Sequence, residues 1–452
     1  MEKLAEFISM VDGLIWGPWL MILLVGTGLY LTFRFKFIQI RGFFHGLRVL
    51  GGHYDKEEDA GEITHFQALS AALSATIGTG NIVGVAAAIL IGGPGAAFWM
   101  WITAIVGMAT KFASCTLAVH FRRIDDSGEA HGGPMHYIEL GMGAKYKWLA
   151  ILFAFFTVTA SFGIGNMFQV NNVVISLNSL IKGAGTEPTT AFKAIAGIAF
   201  AVLVGFVILG GIKSIARFAS KIVPFMCFFY VGAGLWILFS HITHIPEAFA
   251  SIFYSAFNCP EAVGGGLLGG VIKAGVARGL FSNEAGMGSA AMAHGAAKTD
   301  EPVREGLVAM LGPFIDTLLI CTITALVIVI TGATEVTQVK GELTATAFEL
   351  GLGSSLGSQL VAIGVVFFSF STLISWSYYG DRAADYLFGP KAVMPYRFIY
   401  LAFIVLGAMI KIGVIIDFSD AMNGLMVIPN LIALIVLSPV LVKLSKDYFS
   451  RM

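Results

Sequence analysis

Residues 75–84 read ATIGTGNIVG and lie in the middle of an apolar run long enough to cross a bilayer. Lipid offers no partner for free N–H and C=O groups, so a spanning segment exposed to lipid cannot be irregular. Gly78, Thr79, Gly80 and Asn81 weaken a helix at mid-span, since each glycine costs about 1 kcal/mol relative to alanine. A break there is tolerable only where it lines a cavity inside protein. Interrupted spans of this kind, in corresponding places of two halves, are the best sequence pointer to a transport site. The chain has a second one, at 280–290.

The setting is membranous throughout. Of 452 residues, 57% are hydrophobic and 12% charged, against about 25% charged in a soluble domain. The formal net charge is zero, which gives no footprint for a nucleic-acid partner. Cys115, Cys227, Cys259 and Cys321 are far apart and form no CxxC, so free thiols are expected. Residues 1–12 lack the basic start of a cleavable signal. Runs of roughly 20 apolar residues predict eleven spans, near 14–33, 66–91, 97–120, 149–180, 191–212, 218–240, 265–294, 305–332, 356–380, 396–416 and 422–442.

Basic residues set the orientation. Arg34, Lys36, Arg41, Arg48 and Lys56 follow span one, Arg122 and Arg123 span three, Lys213 and Arg217 span five, Lys298 and Arg304 span seven, and Arg382 and Arg397 span nine. Lys443, Lys446 and Arg451 end the chain. The alternation puts the N-terminus outside and the C-terminus in the cytoplasm. The loop 35–63 mixes Phe37, Phe43 and Phe44 with Arg41 and Arg48; it reads as an amphipathic surface helix or as a plain connector. A turn is expected at Gly132-Gly133-Pro134.

Spans two and seven superimpose as sequences, and four spans follow each. Span two starts from the cytoplasm and span seven from outside, so the halves have opposite topology. The expected fold is all-α and polytopic: one extra N-terminal helix with its amphipathic loop (1–60), then a five-plus-five inverted repeat (61–240 and 241–452) with a broken first helix in each half. That is the architecture of the leucine-transporter fold.

Several segments carry a resemblance to a known family. IGTGN at 77–81, GGPG followed by FWMW at 92–101, GGPM at 132–135, GLFSNEAGMGS at 279–289 and SWSYYGDR at 375–382 are similar to motifs of the alanine/glycine:cation (sodium:alanine) symporters. The likeness covers nearly the whole chain; it departs at Ala97 and His136, away from the expected site. It implies sodium-coupled uptake of alanine or glycine through a cell inner membrane, with sodium as coupling ion and no other cofactor. The alternatives are coupling to protons and transport of another small neutral solute.

A zwitterionic amino acid needs positive potential for its carboxylate and acceptors for its ammonium. The amides of Thr79 and Gly80, opening the second half of span two, would supply the first. On span four, Gln169 and Asn172 are read as substrate contacts and Asn166 as interhelical glue. In span seven the break is expected at Phe281–Glu284: its carbonyls and Ser282 would take the ammonium, and Phe281 would wall the side-chain pocket. Glu284 either binds a cation or pairs with Lys273 or Arg278. Trp376, one turn beyond Thr372, would cap a small pocket. Sodium wants oxygen ligands; the Ser371 and Thr372 hydroxyls, a carbonyl near Phe368, and carbonyls near Ser74 and Ile77 could supply them. This set is similar to the sodium site that leucine-transporter-fold families share. The expected mechanism is alternating access, with sodium bridging spans two and nine.

Rival classes have little support. The chain has no HExxH or Walker A motif, which argues against an enzyme. It shows neither the carbonyl filter nor the charged ring of a channel. Gly264–Gly269 fits GxGxxG on paper, but no strand precedes it.

Overall fold

The computed structural model describes residues 2–56, 58–126, 128–183, 185–258, 269–339, 341–410 and 412–452. Cys259 and 264–268 lie outside them. Among the described residues, nine helices are long and apolar enough to cross a membrane. They are Glu6–Arg34, Ala96–His120, Ala144–Lys182, Thr190–Ile208, Gly211–Ser240, Pro302–Thr331, Leu356–Phe388, Pro390–Met409 and Asp417–Val436, and they correspond to spans one, three to six and eight to eleven. His65–Thr76 and Gly80–Gly92 meet at a bend of 54° and make span two.

Span seven differs in kind. It is a helix, Gly270–Asn283, an irregular stretch, and a short helix, Ala290–Gly295. Its length of apolar sequence is small because its surroundings are protein rather than lipid. Gly275 and Gly279 show how close: a Cβ at Gly275 would stand 2.4 Å from the Ala96 carbonyl, and one at Gly279 2.3 Å from Thr103 Oγ1. Small residues admit such approach where no hydrophobic drive joins helices.

The start of span two and the end of span seven meet at the same end of the bundle. Ile63 and Ala297 form a parallel bridge there. The two interrupted spans therefore run in opposite directions, as an inverted repeat requires. This end also carries the basic loops, and is called the basic end below. A hairpin, Arg123–Ile124 with Ala130–His131, lies there. Gly133 turns the chain at φ 129° into a helix, Pro134–Gly141, with proline at its first position, where a missing N–H costs nothing. The loop after span one folds as two short helices, Ile38–Arg41 and Phe43–Leu50.

Candidate functional site

The inner half of span two begins with a capping box: Thr64 accepts from the Gln67 amide and the Gln67 side chain accepts from the Thr64 amide. The helix stops after Thr76. Asn81 Oδ1 then accepts from the Gly78 amide (3.0 Å), and a wide π turn, Gly80–Gly84, restarts the span. The first amides of such a restart have no partner within their own helix. Thr79, Gly80 and Ile77 are all buried.

Span seven breaks later than its sequence suggests. Phe281, Ser282 and Asn283 complete the last helical turn, and the irregular stretch is 284–289. Glu284 ends the helix in the left-handed conformation, φ 53°, uncommon without glycine. Its carboxylate explains the stop: it accepts from Ser289 Oγ (2.5 Å) and from Trp376 Nε1 (3.1 Å). Those are its hydrogen-bond partners among the described residues. Neither Lys273 nor Arg278 makes an ion pair with it there; the opposing charge comes from Lys111 of span three.

The first break touches the last helical turn before the second. A Cβ at Gly80 would meet Phe281 Cδ1 and Ser282 Cα at 3.4 Å. They also share a carboxyl group that the sequence reading passed over. Asp316, wholly buried in a π turn of span eight (Phe314–Cys321), accepts from Asn81 Nδ2 (2.7 Å) of one break. Its other oxygen accepts from Ser282 Oγ (2.9 Å) beside the second break and from Thr317 Oγ1 (2.7 Å). Asn283 donates to Thr317 Oγ1 (3.2 Å). An aspartate in an otherwise apolar run was the signal for it, since such residues are functional by default.

On span four, Thr79 Oγ1 lies 3.5 Å from Gln169 Oε1, so Gln169 faces the first break. Asn166 donates to the Tyr400 carbonyl (2.7 Å), which joins spans four and ten. Asn172 is half-buried and donates to the Phe168 carbonyl (2.7 Å) of its own helix. Asn171 is buried and reaches the Ile410 carbonyl (3.1 Å). A π turn at Gly163–Met167 puts an extra residue into one turn, so counting faces along an ideal helix slips across it. Gly165 lies in that turn, where a Cβ would stand 2.4 Å from Trp376 Cβ. Buried Trp376 thereby packs on span four while its indole N–H holds Glu284.

Spans two and nine meet through oxygens. Ser74 Oγ donates to the Ser371 carbonyl (2.8 Å). Ser371 Oγ lies 2.9 Å from the Phe368 carbonyl and 3.3 Å from the Ser74 carbonyl. Thr372 Oγ1 lies 3.1 Å from the Ser74 carbonyl and 3.4 Å from that of Ala75. All of these residues are buried. A cluster of hydroxyls and carbonyls suits a hard cation.

At the basic end the site is closed. Arg122, just past span three, donates to four main-chain carbonyls: Gly295 (3.1 Å) and Ala297 (2.5 Å) through Nη1, Ala60 (2.8 Å) and Thr299 (2.6 Å) through Nη2. Buried Glu305 accepts from His65 Nδ1 and His294 Nδ1, one from each interrupted span. At the opposite end a cavity of about 960 Å³ is lined by Asn171, Thr346, Gln359 and Val365, and reaches Ile82, two residues past Gly80.

Comparison with known proteins agrees with this geometry. The family model described as the sodium:alanine symporter family matches residues 1–452. The sodium/alanine symporter AgcS of Methanococcus maripaludis is 46% identical over 98% of this chain and 97% of its own. An uncharacterized transporter of Haemophilus influenzae is 47% identical over 99% of this chain and 96% of its own. Among solved structures, the crystal structure of MhsT in complex with L-phenylalanine matches with a TM-score of 0.57 at 14% identity, over 81% of this chain and 89% of that one. That last likeness speaks for the leucine-transporter fold alone.

Proposed function

The chain belongs to the sodium:alanine symporter family, and from that premise we propose that it carries alanine, or glycine, into the cell together with sodium by alternating access. The observation that carries the reading is the meeting of two interrupted spans of opposite direction around one buried polar site. The substrate carboxylate sits on the amides of Thr79 and Gly80, where the helix dipole favours an anion. The ammonium faces Ser282, the last carbonyls of the helix ending at Asn283, and Gln169 Oε1. Phe281 and Trp376 bound the space for the side chain. Asn172 has its side-chain oxygen and one amide N–H to offer, the other N–H being bonded to the Phe168 carbonyl. Sodium takes the place between Ser371, Thr372 and the carbonyls around Ser74, with Ile77 at its edge.

In the membrane, the basic end faces the cytoplasm, with the N-terminus outside and the C-terminus inside. The two halves are 61–240 and 241–452, and 1–60 is an addition to them. Sodium bound between spans two and nine fixes the outward-facing arrangement, and the substrate then draws the two breaks together. Such coupling requires that the ligands favour the same state reciprocally. Proton coupling is a second reading, favoured by two buried carboxylates, Asp316 and Glu284, beside the breaks.

The test is uptake of labelled alanine by proteoliposomes under an imposed sodium gradient. Uptake that ignores both sodium and proton gradients would sink both readings. Thr372→Ala removes one oxygen from the cation, a contact of about 1.5 kcal/mol, so half-maximal uptake should need roughly tenfold more sodium. An unchanged sodium requirement would remove the ion from this place.

A further inference from the structure

The two short helices after span one hold a surface that the transport site does not use. Lys36 and Phe37 both have positive φ, 53° and 56°, and turn the chain sharply away from span one. Beyond the turn, Ile40, Phe44 and Leu47 recur at i, i+4 and i+7 and are 70%, 75% and 43% exposed. Phe37, one turn earlier, is exposed as well. The opposite side, with Ile38, His45 and Val49, is buried. A Cβ at Gly46 would stand 2.6 Å from the Leu307 carbonyl, so this side is seated directly on span eight.

The charges beside the apolar stripe are all of one sign. Arg34, Lys36, Arg41 and Arg48 are exposed. Among the described residues none of the four takes part in an ion pair, and no acidic residue lies between positions 34 and 50. Arg41 lies over the Phe449 ring (5.6 Å), which leaves its guanidinium without a counter-charge. An exposed apolar stripe rimmed by unpaired cations, next to the end of a membrane span, matches an anionic bilayer surface: acyl chains for the stripe and phosphate for the cations.

We propose that Ile38–Arg41 and Phe43–Leu50 form an interfacial docking surface for anionic phospholipid. The apolar stripe enters the headgroup boundary, and Arg34, Lys36, Arg41 and Arg48 hold phosphodiesters. The surface is fastened to the closed end of the transport path. Leu307 is two residues from Glu305, and His45 Nε2 bonds to Tyr448 Oη (2.7 Å) of the C-terminal helix. Lipid held here therefore steadies the start of span eight, where Glu305 joins the two interrupted spans.

The inference rests on the membrane-spanning reading of the chain and not on alanine or sodium, so its test need not involve transport. The full chain in detergent is titrated with dioctanoyl phosphatidylglycerol or dioctanoyl phosphatidylcholine, and adducts are counted by native mass spectrometry. Phosphatidylglycerol should be retained over phosphatidylcholine. Each basic residue replaced by glutamine should weaken that preference about fivefold, first in Arg48→Gln and then cumulatively in Arg34→Gln/Lys36→Gln/Arg48→Gln. Phe44→Ser should weaken both lipids alike. Equal retention of the two lipids by the native chain would overturn the proposal. So would undiminished preference in Arg48→Gln, a surface change that leaves the fold's core untouched. A mass doubling lost in Phe44→Ser would give the stripe to a second copy of the chain and overturn it too.

Discussion

The two ends of the bundle are built on different principles. At the basic end, backbone meets backbone: the bridge at Ile63 and Ala297, the Lys298 amide on the Ile63 carbonyl (2.7 Å), and Arg122 on four carbonyls. At the opposite end the helix Leu343–Leu352 reaches the first interrupted span through Thr344 Oγ1 on the Ile82 carbonyl (2.9 Å), and a cavity remains beside it. The lesson is that hydrogen bonds and charge hold the interrupted spans together at the basic end. At the water-facing end of a bundle such bonds can be exchanged for bonds to water without a large change in buried apolar area, which suits a part that must open and shut.

The contrast breaks most severely at Arg122. Arg122→Gln removes the fork that holds four carbonyls, and charge-assisted bonds contribute about 1.5–3 kcal/mol each. Uptake should fall by about 100-fold or more. Hydrogen exchange at the amides of Glu62, Ile63, Lys298 and Thr299 should rise by at least about tenfold. Arg122→Lys should restore little, because an ammonium is a point donor and not a planar fork. Protection unchanged in a folded Arg122→Gln protein would show that the backbone bridge alone closes this end.

The opposite end should respond less. Thr344→Val keeps the shape of the side chain and deletes one hydroxyl. A single neutral hydrogen bond contributes about 1 kcal/mol, so the expected change is a shift of about fivefold in the alanine concentration giving half-maximal uptake. A loss as large as that of Arg122→Gln would mean that both ends are latched and that the cavity is no sign of an open path.

How much of this was legible beforehand follows from the range of the interactions. The first break was legible because Gly78 and Gly80 interrupt an apolar run locally. The second was displaced to 284–289 because its position is set by Glu284, whose partner Trp376 is 92 residues away. The face carrying Gln169 was legible in part: the π turn at Gly163–Met167 has no sequence pattern of its own, and it separates the roles of Asn166 and Gln169. Asp316 was visible as an isolated charge, but its bonds to Asn81 and Ser282 join parts 235 and 34 residues apart. The Arg122 clamp left no trace, since its acceptors are main-chain carbonyls that any residue supplies.

The smallest expected effect sharpens the picture of the basic end as a charge-held structure. His131 stands outside the spans, between Asp385 (2.9 Å) at the end of span nine and Asp125 (3.1 Å) of its own hairpin. The hydrogen bond to Asp385 holds its pKa above the ordinary 6.5, against partial burial and the nearby Arg382. Neighbouring His136 is pushed down to about 4, chiefly by burial, and stays neutral through the same range. The sign follows from linkage. A histidine whose pKa is raised by folding adds its full stabilisation below pH 6.5 and loses it as pH climbs through the raised value. The native chain should therefore lose about 1 °C of Tm between pH 6.5 and 8.5 that His131→Gln does not lose, with glutamine still able to bond Asp385. Parallel Tm curves for the two proteins would mean that this hairpin is held by the Arg382–Glu129 pair and not by the imidazolium.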